Sequence, residues 1–336
     1  MANPTFGVGY VRGLLDHAIR RGGDRRALLA AAGLVAEDLV EHDGRVPLAN
    51  CSALMAAATE ATQDPAFALR FGEGLKEESL SVAWLAAAAA ETVGEGRSAM
   101  NRFGRLIGDG GGAEVLQLVR DREGVWLQFV AGADDWRFVE AGFAWCVTAA
   151  RRMLAEHHGG RPFLKAVRFR HGEPSYRAEY DRIFAAPCAF EAAFDGMLID
   201  EGFLQLRLPP SNPYVAQLLT ERAENLSGQL DKAATVRGQL EQWLQGELGA
   251  RGARMDAVAR QLGVSRRTLA RRLRAEGTTF ERVLTELRRD LAVRCLSGGK
   301  TSVKQAAYRL GFSDPAAFSR AFKRWTGSSP STIGRT

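Results

Sequence analysis

Two short stretches near the end of the chain repeat each other: ARQLGVS at residues 259–265 and AYRLGFS at residues 307–313. Alanine, leucine, glycine and serine recur in register, with an aliphatic or aromatic residue between glycine and serine. One extra residue follows the second serine, so that LARRLR at 269–274 aligns with FSRAFK at 318–323. An internal repeat of this kind indicates a duplicated structural unit.

The first copy predicts a helix, a tight turn and a second helix. The apolar face of its first helix is formed by Met255, Val258, Ala259 and Leu262. Gly263 can adopt the left-handed conformation that ends a helix, and Ser265 is a suitable N-cap for the next one. In that second helix, Leu269 and Leu273 are spaced to face inward.

The second copy predicts the same arrangement. Ser302 and Gln305 have the spacing of a capping box, and Gly311 occupies the turn. The following helix is expected to start at Ser313 or Asp314. Its first turn would contain Pro315, and its inward face would carry Phe318 and Phe322. Small residues, Ala259 and Ala307, fall where the two helices of each copy cross closely.

A long amphipathic helix is predicted between the two copies. Its apolar stripe consists of Phe280, Val283, Leu284, Leu287, Leu291 and Cys295, and it ends at Gly298–Gly299. Such a helix can hold two helix-turn-helix units at a fixed separation. Two recognition helices that reach one face of B-DNA must lie roughly 34 Å apart.

Charge is distributed unevenly along the chain. Residues 236–336 contain 20 Lys+Arg and 8 Asp+Glu, a net charge of +12, whereas the whole chain carries +6, which leaves −6 for residues 1–235. A basic segment of this size is typical of a polyanion-binding domain, although a solvated arginine-rich surface has the same composition. The opposite signs suggest domains with different partners, and we expect three segments: an acidic N-terminal domain (1–210), a helical seam and linker (211–235), and a basic domain (236–336) that is the candidate for DNA binding.

The repeat resembles the DNA-binding domain of the AraC/XylS family of transcription regulators. The densest match runs from Ala307 through Gly311-Phe312-Ser313-Asp314 to Phe318-Ser319-Arg320-Ala321-Phe322-Lys323-Arg324-Trp325, then Gly327 and Pro330. The resemblance covers about the last hundred residues. It implies a sequence-specific regulator of double-stranded DNA, in which the second helix of each unit enters a major groove, and an activator that contacts RNA polymerase.

The resemblance also implies which residues face the DNA. The positions that correspond to base-reading residues are Arg267, Ala270, Arg271, Pro315, Ala316, Ser319 and Arg320. Those expected to meet phosphates are Arg266, Arg272, Arg274, Lys323 and Arg324. Arginine can donate two hydrogen bonds to guanine, while phosphate contacts carry little sequence information. The alternative for any single arginine is a solvated helix face, and Arg320 could instead brace the domain through an ion pair.

Residues 1–210 show both helical and strand patterns, so we expect an α+β domain with an antiparallel sheet. Helices are predicted at Val11–Arg20, Arg25–Ala32, Cys51–Ala61, Gly96–Ile107 and Phe138–His157. Strands are predicted at 114–121, 125–130, 164–170, 188–194 and 203–208, with a hairpin turn at 122–124. The glycine run at 108–112 is expected to be a flexible connection, since it precedes a strand and lacks the Lys-Ser/Thr of a phosphate-binding loop.

The N-terminal domain resembles the arabinose-binding-like effector domain of one AraC subgroup. The residues that match are Tyr180, Ile183, Phe184, Pro187, Phe190, Leu198, Leu206, Leu208 and Pro209. The resemblance implies a domain that senses an unknown small molecule, mediates dimerisation, or does both. The aromatic residues that could line a pocket are Trp84, Trp126, Phe129, Trp136, Phe138, Phe143 and Trp145, most of which we expect in the core.

A two-heptad apolar seam precedes the DNA-binding domain. It comprises Ala216, Leu219, Ala223, Leu226 and Leu230. Leu219, Leu226 and Leu230 could pair with a second subunit in a homodimer, or the helix could pack on its own domain. Residues 226–235, with Ser227-Gly228, are the predicted linker.

Several function classes find no support in the sequence. Apolar runs are too short for a membrane helix, and residues 1–4 lack the pattern of an export signal, so we expect a cytoplasmic protein. The four cysteines form no CxxC pair, and the adjacent His157 and His158 point apart on a helix. No cofactor or metal is expected.

Two further functions remain as alternatives to a ligand-responsive regulator. One is a constitutive DNA-binding protein whose N-terminal domain only dimerises, and the other is an enzyme fused to a DNA-binding module. Against the enzyme, no nucleophile elbow and no HExxH motif is present. The sequence does not specify the effector, the operator or the sign of regulation.

Overall fold

A computed structural model of the chain describes residues 4–76, 81–109, 116–129, 135–248, 254–297 and 301–333. It divides into two compact units, the N-terminal unit (Met1–Ser227) and the C-terminal unit (Gly228–Thr336). No helix in these ranges is both long enough and apolar enough to span a bilayer.

The N-terminal unit is α+β. Its helices are α1 (Val8–Arg20), α2 (Arg25–Ala31), α3 (Leu48–Ala61), α4 (Phe67–Gly74), α5 (Val82–Ala88), α6 (Val93–Phe103), α7 (Arg137–His157) and α8 (Arg177–Phe184). Its strands are β1 (Thr5–Gly7), β2 (Arg45–Pro47), β3 (Gly108–Asp109), β4 (Leu116–Arg120), β5 (Val125–Phe129), β6 (Leu164–Arg168), β7 (Cys188–Ala189) and β8 (Gly196–Ile199). The five predicted helices are therefore confirmed, with ends shifted by up to four residues.

Two sheets organise this unit. A small antiparallel sheet has the order β2-β1-β3, and a five-stranded sheet has the order β4-β5-β8-β6-β7. The predicted hairpin is confirmed: β4 and β5 pair antiparallel, with Leu118 opposite Leu127. Of the glycine run at 108–112, Gly108 and Asp109 form β3, and residues 110–112 lie outside the described part of the chain.

The predicted antiparallel sheet is confirmed for four of its five strands, and the exception lies at its edge, where β6 and β7 run parallel. Helix α8 lies between these strands in the chain and provides the crossover that a parallel pair requires. The predicted strand at 188–194 is only two residues long, because Glu191 has a φ of +54° and interrupts the extended backbone.

The predicted strand at 203–208 was also wrong, because residues Glu201–Gln205 form a 3₁₀ helix. Asp200 caps that helix by accepting a hydrogen bond from the Gly202 backbone N–H, and the Phe203 ring stacks on Phe163 at 4.4 Å. The strand that completes the sheet is instead β8, which lies between β5 and β6.

Helix α7 connects two hydrophobic cores. Phe138 and Ala141 contribute to a core formed mostly by α1–α4, whereas Phe143 and Val147 contribute to one built on the five-stranded sheet. A Cβ at Gly72 would collide with the Ala141 backbone, so α4 and α7 cross at a distance that only glycine permits.

Helix α9 (Pro213–Ala234) contains the boundary between the two units. The predicted linker at 226–235 is thus helical through Ala234. The remaining helices are α10 (Val236–Glu247), α11 (Met255–Gln261), α12 (Arg266–Ala275), α13 (Phe280–Ser297), α14 (Val303–Arg309), α15 (Pro315–Thr326) and α16 (Pro330–Ile333). The C-terminal unit is therefore all-α, with α13 joining the two copies of the repeat as predicted. Gly298 and Gly299 lie outside the described residues.

Candidate nucleic-acid interface

The first copy of the repeat is a helix-turn-helix unit formed by α11 and α12. Gly263 has a φ of +63° in the turn, and the Ser265 hydroxyl accepts a hydrogen bond from the Thr268 backbone N–H at 3.1 Å. Leu269 and Leu273 are fully buried against Val258 and its neighbours, as the periodicity predicts. The orientation of α12 is thus fixed by its turn, its cap and its apolar face.

An exposed arginine face lies on the side of α12 opposite those leucines. Arg267, Arg271 and Arg274 follow one another at spacings of four and three residues, which places them on the same side of a helix. All three side chains are exposed, and Ala270 beside them is half-buried. The structure therefore groups Arg274, a predicted phosphate contact, with two predicted base-reading residues.

The two other arginines of α12 lie on its flanks. Arg266 is exposed and forms an ion pair with Asp256 at 3.6 Å, and Arg272 is also exposed. An exposed pair at this distance contributes little stability, so it leaves Arg266 available to another anion.

The second copy is a helix-turn-helix unit formed by α14 and α15. Ser302 and Gln305 form the predicted capping box, and Gly311 has a φ of +78°. Asp314 is the N-cap of α15, where its carboxylate accepts hydrogen bonds from two backbone N–H groups that lower its pKa. Phe318 and Phe322 are fully buried.

The outward face of α15 carries fewer charges than that of α12. Ala316, Arg320 and Lys323 occupy the positions that align with Arg267, Arg271 and Arg274, and all three are exposed, as is Arg324. Pro315 and Ser319 are half-buried, and the Ser319 hydroxyl donates to the Pro315 carbonyl at 3.0 Å.

Arg320 does not brace the domain to any large extent. Its guanidinium lies 3.9 Å from the Asp314 carboxylate, and 74% of its side chain is exposed. A pair this long and this exposed contributes little to stability. The Arg320 side chain is therefore available to a partner outside the chain.

Sequence reasoning missed the helix that stabilises the first unit. Leu240, Leu244 and Leu248, at or just beyond α10, are buried in the core formed by α11, α12 and α13. The Glu276 carboxylate, just after α12, accepts hydrogen bonds from the Val236 and Arg237 backbone N–H groups at the start of α10. The amphipathic spacing of these leucines could have revealed the helix.

A structural arginine connects α13 to the second unit. The Arg288 Nε donates to the Leu310 carbonyl at 3.0 Å, and its guanidinium lies 4.9 Å from the centre of the Phe312 ring. Burial lowers the pKa of Arg288. This arginine stabilises the turn and is not part of the exposed face.

The aromatic residues of the N-terminal unit are mostly in its core, as expected. Trp126, Phe138 and Phe143 are buried, and Trp84 packs edge-on against Trp145 at 4.1 Å. Trp136, with 38% of its surface exposed, is the exception among the larger rings. In the described part of the chain, no three His, Cys, Asp or Glu side chains converge in a metal-binding arrangement.

Helix α9 packs on the N-terminal unit through Ala223, which is fully buried. Two ion pairs flank this residue, Arg222 with Asp43 and Arg102 with Glu224. The seam residues Leu219, Leu226 and Leu230 are half-buried. Near the start of α9, three large apolar side chains are exposed: Tyr214, Val215 and Leu218.

Both parts of the chain match known protein families. Residues 22–208 match the arabinose-binding domain of AraC transcription regulator, N-terminal, and residues 258–336 match a helix-turn-helix domain. The chain is 27% identical to the ornithine utilization regulator of Pseudomonas aeruginosa over 334 residues, 96% of this chain and 94% of that protein.

Two other similarities differ in how much of the chain they cover. The transcriptional activator RhaS of Escherichia coli is 37% identical over 121 residues, 36% of this chain and 43% of the activator. The crystal structure of the transcriptional regulator CdpR from P. aeruginosa aligns over 97% of both chains, with a TM-score of 0.40 and 23% identity.

Proposed function

Because this chain belongs to the AraC family of transcription regulators, we propose that it controls genes by inserting α12 and α15 into successive major grooves of one DNA site. The chain is a DNA-binding transcription regulator, and the relatives named above are transcription regulators rather than enzymes. One observation carries the proposal: both second helices present an exposed basic face directly opposite their buried apolar face.

The exposed faces of α12 and α15 have different roles in DNA recognition. Arg267 and Arg271 read bases from α12, where Ala270 contacts a thymine methyl group, since bidentate arginine–guanine pairs are the commonest specific contact. On α15 Arg320 reads a base, with Pro315, Ala316 and Ser319 close to the groove floor. Phosphates are bound by Arg266, Arg272, Arg274, Lys323 and Arg324. The first unit therefore contributes more of the base specificity than the second.

A DNA selection experiment tests the two-unit arrangement. The full chain would select binding sites from a random duplex library, and methylation protection would then map guanine contacts on the enriched sequence. We expect two protected clusters about one helical turn apart, because each unit enters one groove. A single cluster would show that only one unit docks.

The N-terminal unit corresponds to an effector-binding domain. We propose that it binds a small molecule and thereby changes DNA binding or contact with RNA polymerase, which makes the protein a ligand-responsive activator in the cytoplasm. Because a full-length relative is named for ornithine utilization, small nitrogen metabolites belong in the first panel of compounds. If no compound changes DNA binding, the unit is a dimerisation module only.

A second copy of the chain is the partner proposed for α9. Exposed Tyr214, Val215 and Leu218 lie beside the half-buried seam of Leu219, Leu226 and Leu230. Isologous dimers are the commonest assemblies, and burial of these side chains would favour one. Leu218→Glu should yield a monomer in analytical ultracentrifugation, whereas Gln217→Glu, a neighbouring exposed position, should not. A monomeric wild-type chain would contradict the dimer.

A further inference from the structure

Glu140, on α7, has a buried carboxylate in which one oxygen has hydrogen-bond partners and the other has none among the described residues. The side chain is completely excluded from solvent. Its Oε1 accepts a hydrogen bond from the Tyr176 hydroxyl at 3.0 Å and another from the Tyr180 hydroxyl. Its Oε2 is buried and has no hydrogen-bond partner among the described residues. Buried polar atoms are almost always paired, so this oxygen needs an explanation.

The charges around Glu140 do not neutralise it. Arg137, one turn earlier on α7, directs its guanidinium to Asp135 through two hydrogen bonds of 2.8 Å. Other charged residues on α4, on α8 and before α8 are paired elsewhere: Arg70 with Asp64 and Glu179, Glu73 with Arg182, and Arg177 with Glu173 and Asp181. Burial accordingly raises the pKa of Glu140 to about 8.

Aromatic rings surround the two tyrosines that bind Glu140. Tyr176 and Tyr180 stack at 5.9 Å, and His171 Nε2 lies 3.3 Å from the Tyr180 hydroxyl. His171 in turn packs under Trp136 at 4.6 Å. Phe169 and Phe190 lie 5.1 and 5.6 Å from the His171 ring.

The cluster extends from solvent to the buried carboxylate. Trp136 is exposed, His171 and Tyr176 are half-buried, and Glu140 is fully buried. The Tyr176 hydroxyl, which donates directly to Glu140, links the outer and inner parts. A carboxylate acceptor at the end of such an aromatic cluster matches the chemistry of cation recognition, in which ring faces attract positive charge.

We infer that Glu140 and the surrounding rings of Trp136, His171, Tyr176 and Tyr180 form the effector site, and that the effector is a small molecule with an ammonium group. An ammonium N–H would donate to Glu140 Oε2 and compensate the charge that burial disfavours. An anionic ligand would be repelled by the ionised form of Glu140. The inference rests on the proposal that the N-terminal unit senses a small molecule.

Binding of an ammonium group must release a proton. Near pH 7 most of the free protein carries a protonated Glu140, whereas the complex holds the ionised form beside the cation. Affinity for the amine should therefore increase between pH 6 and 8. A ligand held by contacts elsewhere in the unit would show no such linkage.

Thermal unfolding of the full chain with matched probes tests the site. The probes are 1,4-diaminobutane, butylamine, butanol and butyrate, which share a four-carbon skeleton and differ in charge. We expect one of the amines to raise the melting temperature by about 3–5 °C at ten times its Kd, and butanol and butyrate to have no effect. Absence of a shift with both amines would overturn the inference.

Two further measurements distinguish binding at Glu140 from a general stabilisation of the protein by amines. Glu140→Gln retains the shape and the acceptor for the tyrosines but removes the charge, so it should abolish the amine effect. Glu173→Gln, at an exposed carboxylate nearby, should leave it unchanged. In wild-type protein, the calorimetric heat of binding at pH 7 should vary with the ionisation enthalpy of the buffer, which requires no variant. Buffer-independent heats, or an amine effect that survives Glu140→Gln, would show that Glu140 is not the ligand.

A broader metabolite panel distinguishes failure of this site from failure of the proposed sensor function. If a neutral or anionic compound stabilises the chain and alters DNA binding, the unit is a sensor but the ammonium site is wrong. If no compound does either, the sensor function itself is wrong.

Discussion

The backbone carbonyl of Leu248, at the end of α10, lies against the α-carbon of Gly311 in the turn of the second helix-turn-helix unit. A Cβ at position 311 would come closer than 3.0 Å to that carbonyl oxygen, a distance that real Cβ atoms essentially never show. Leu248 also contributes its side chain to the core of the first unit. The segment at the end of α10 therefore contacts both helix-turn-helix units.

Gly311→Ala should be far more destabilising than Gly263→Ala, although both glycines occupy equivalent turns. Each has a positive φ, which costs an alanine about 1–2 kcal/mol. At Gly263 no atom lies within 4 Å of the added methyl group, whereas at Gly311 the Leu248 carbonyl must move, at a further cost of about 1–3 kcal/mol. Urea unfolding followed by circular dichroism measures the difference. Equal losses for the two variants would mean that the Leu248 contact is absent in solution.

Arg271→Ala should weaken binding to the selected site by about 1–3 kcal/mol and relax preference at one base pair. Arg324→Ala should weaken binding to all sequences alike, because a phosphate contact carries no sequence information. Fluorescence anisotropy on selected and random duplexes measures both. Arg12→Ala, an equal loss of charge on α1, is the control. If Arg271→Ala, like Arg324→Ala, changed specific and random binding by the same factor, the assignment of residues to bases and phosphates would be falsified.

Arg320→Ala tests whether this residue reads a base. Because its pair with Asp314 is long and exposed, we expect an unchanged melting temperature and reduced specificity. A lower melting temperature would instead identify a structural brace. Stability must be measured before binding, since a partly unfolded domain mimics a lost contact.

Salt dependence tests whether both units bind at once. With several phosphates neutralised, affinity should fall by orders of magnitude between ~50 and ~200 mM salt. Arg324→Ala should lower the slope of log K against log salt by about one unit, because one phosphate contact is lost. A specific site with a flat salt response would rule out docking by two units.

Local rules made the helix-turn-helix units predictable from sequence. Capping by Ser302 and Asp314 and the glycine turns depend on residues within a few positions of one another, so short motifs specify them. The arginine faces follow from helical spacing once the buried leucines are assigned.

The errors and omissions involve contacts between distant residues. The 3₁₀ helix at Glu201–Gln205 depends partly on Phe203 packing against Phe163, which no local pattern reveals. Leu248 and Gly311 are far apart in sequence, and so are Glu140 and the tyrosines that bind it. A polar residue such as Glu140 within a predicted helix is usually solvated, so its complete burial became evident only in the fold.

The C-terminal unit should fold as an isolated fragment of residues 228–336, whereas a fragment that begins at residue 254 should not. The shorter fragment lacks Leu240, Leu244 and Leu248, and truncation of a buried leucine costs about 2–5 kcal/mol even when only its side chain is removed. Far-UV circular dichroism should show a helical, cooperatively melting domain only for the longer fragment. A stable shorter fragment would mean that α10 is dispensable.

The stability of the region around α7 should decrease as the pH rises from 6.5 to 8, because the pKa of Glu140 is raised to about 8 by burial. In this range the folded state retains a proton that the unfolded state has lost, so the free energy of unfolding falls by up to about 1.4 kcal/mol per pH unit. His17 has the opposite effect at lower pH, because its pKa is lowered to about 4. Its contribution to stability therefore rises with pH between about 4 and the ordinary histidine pKa near 6.5. Above pH 6.5 the Glu140 effect should therefore dominate.

Hydrogen exchange of α7 peptides at pH 6.5, 7, 7.5 and 8, corrected for intrinsic rates, would measure this loss of stability. Glu140→Gln should be insensitive to pH over the same range, and a wild-type profile as flat as that of the variant would mean that Glu140 is ionised in the folded protein.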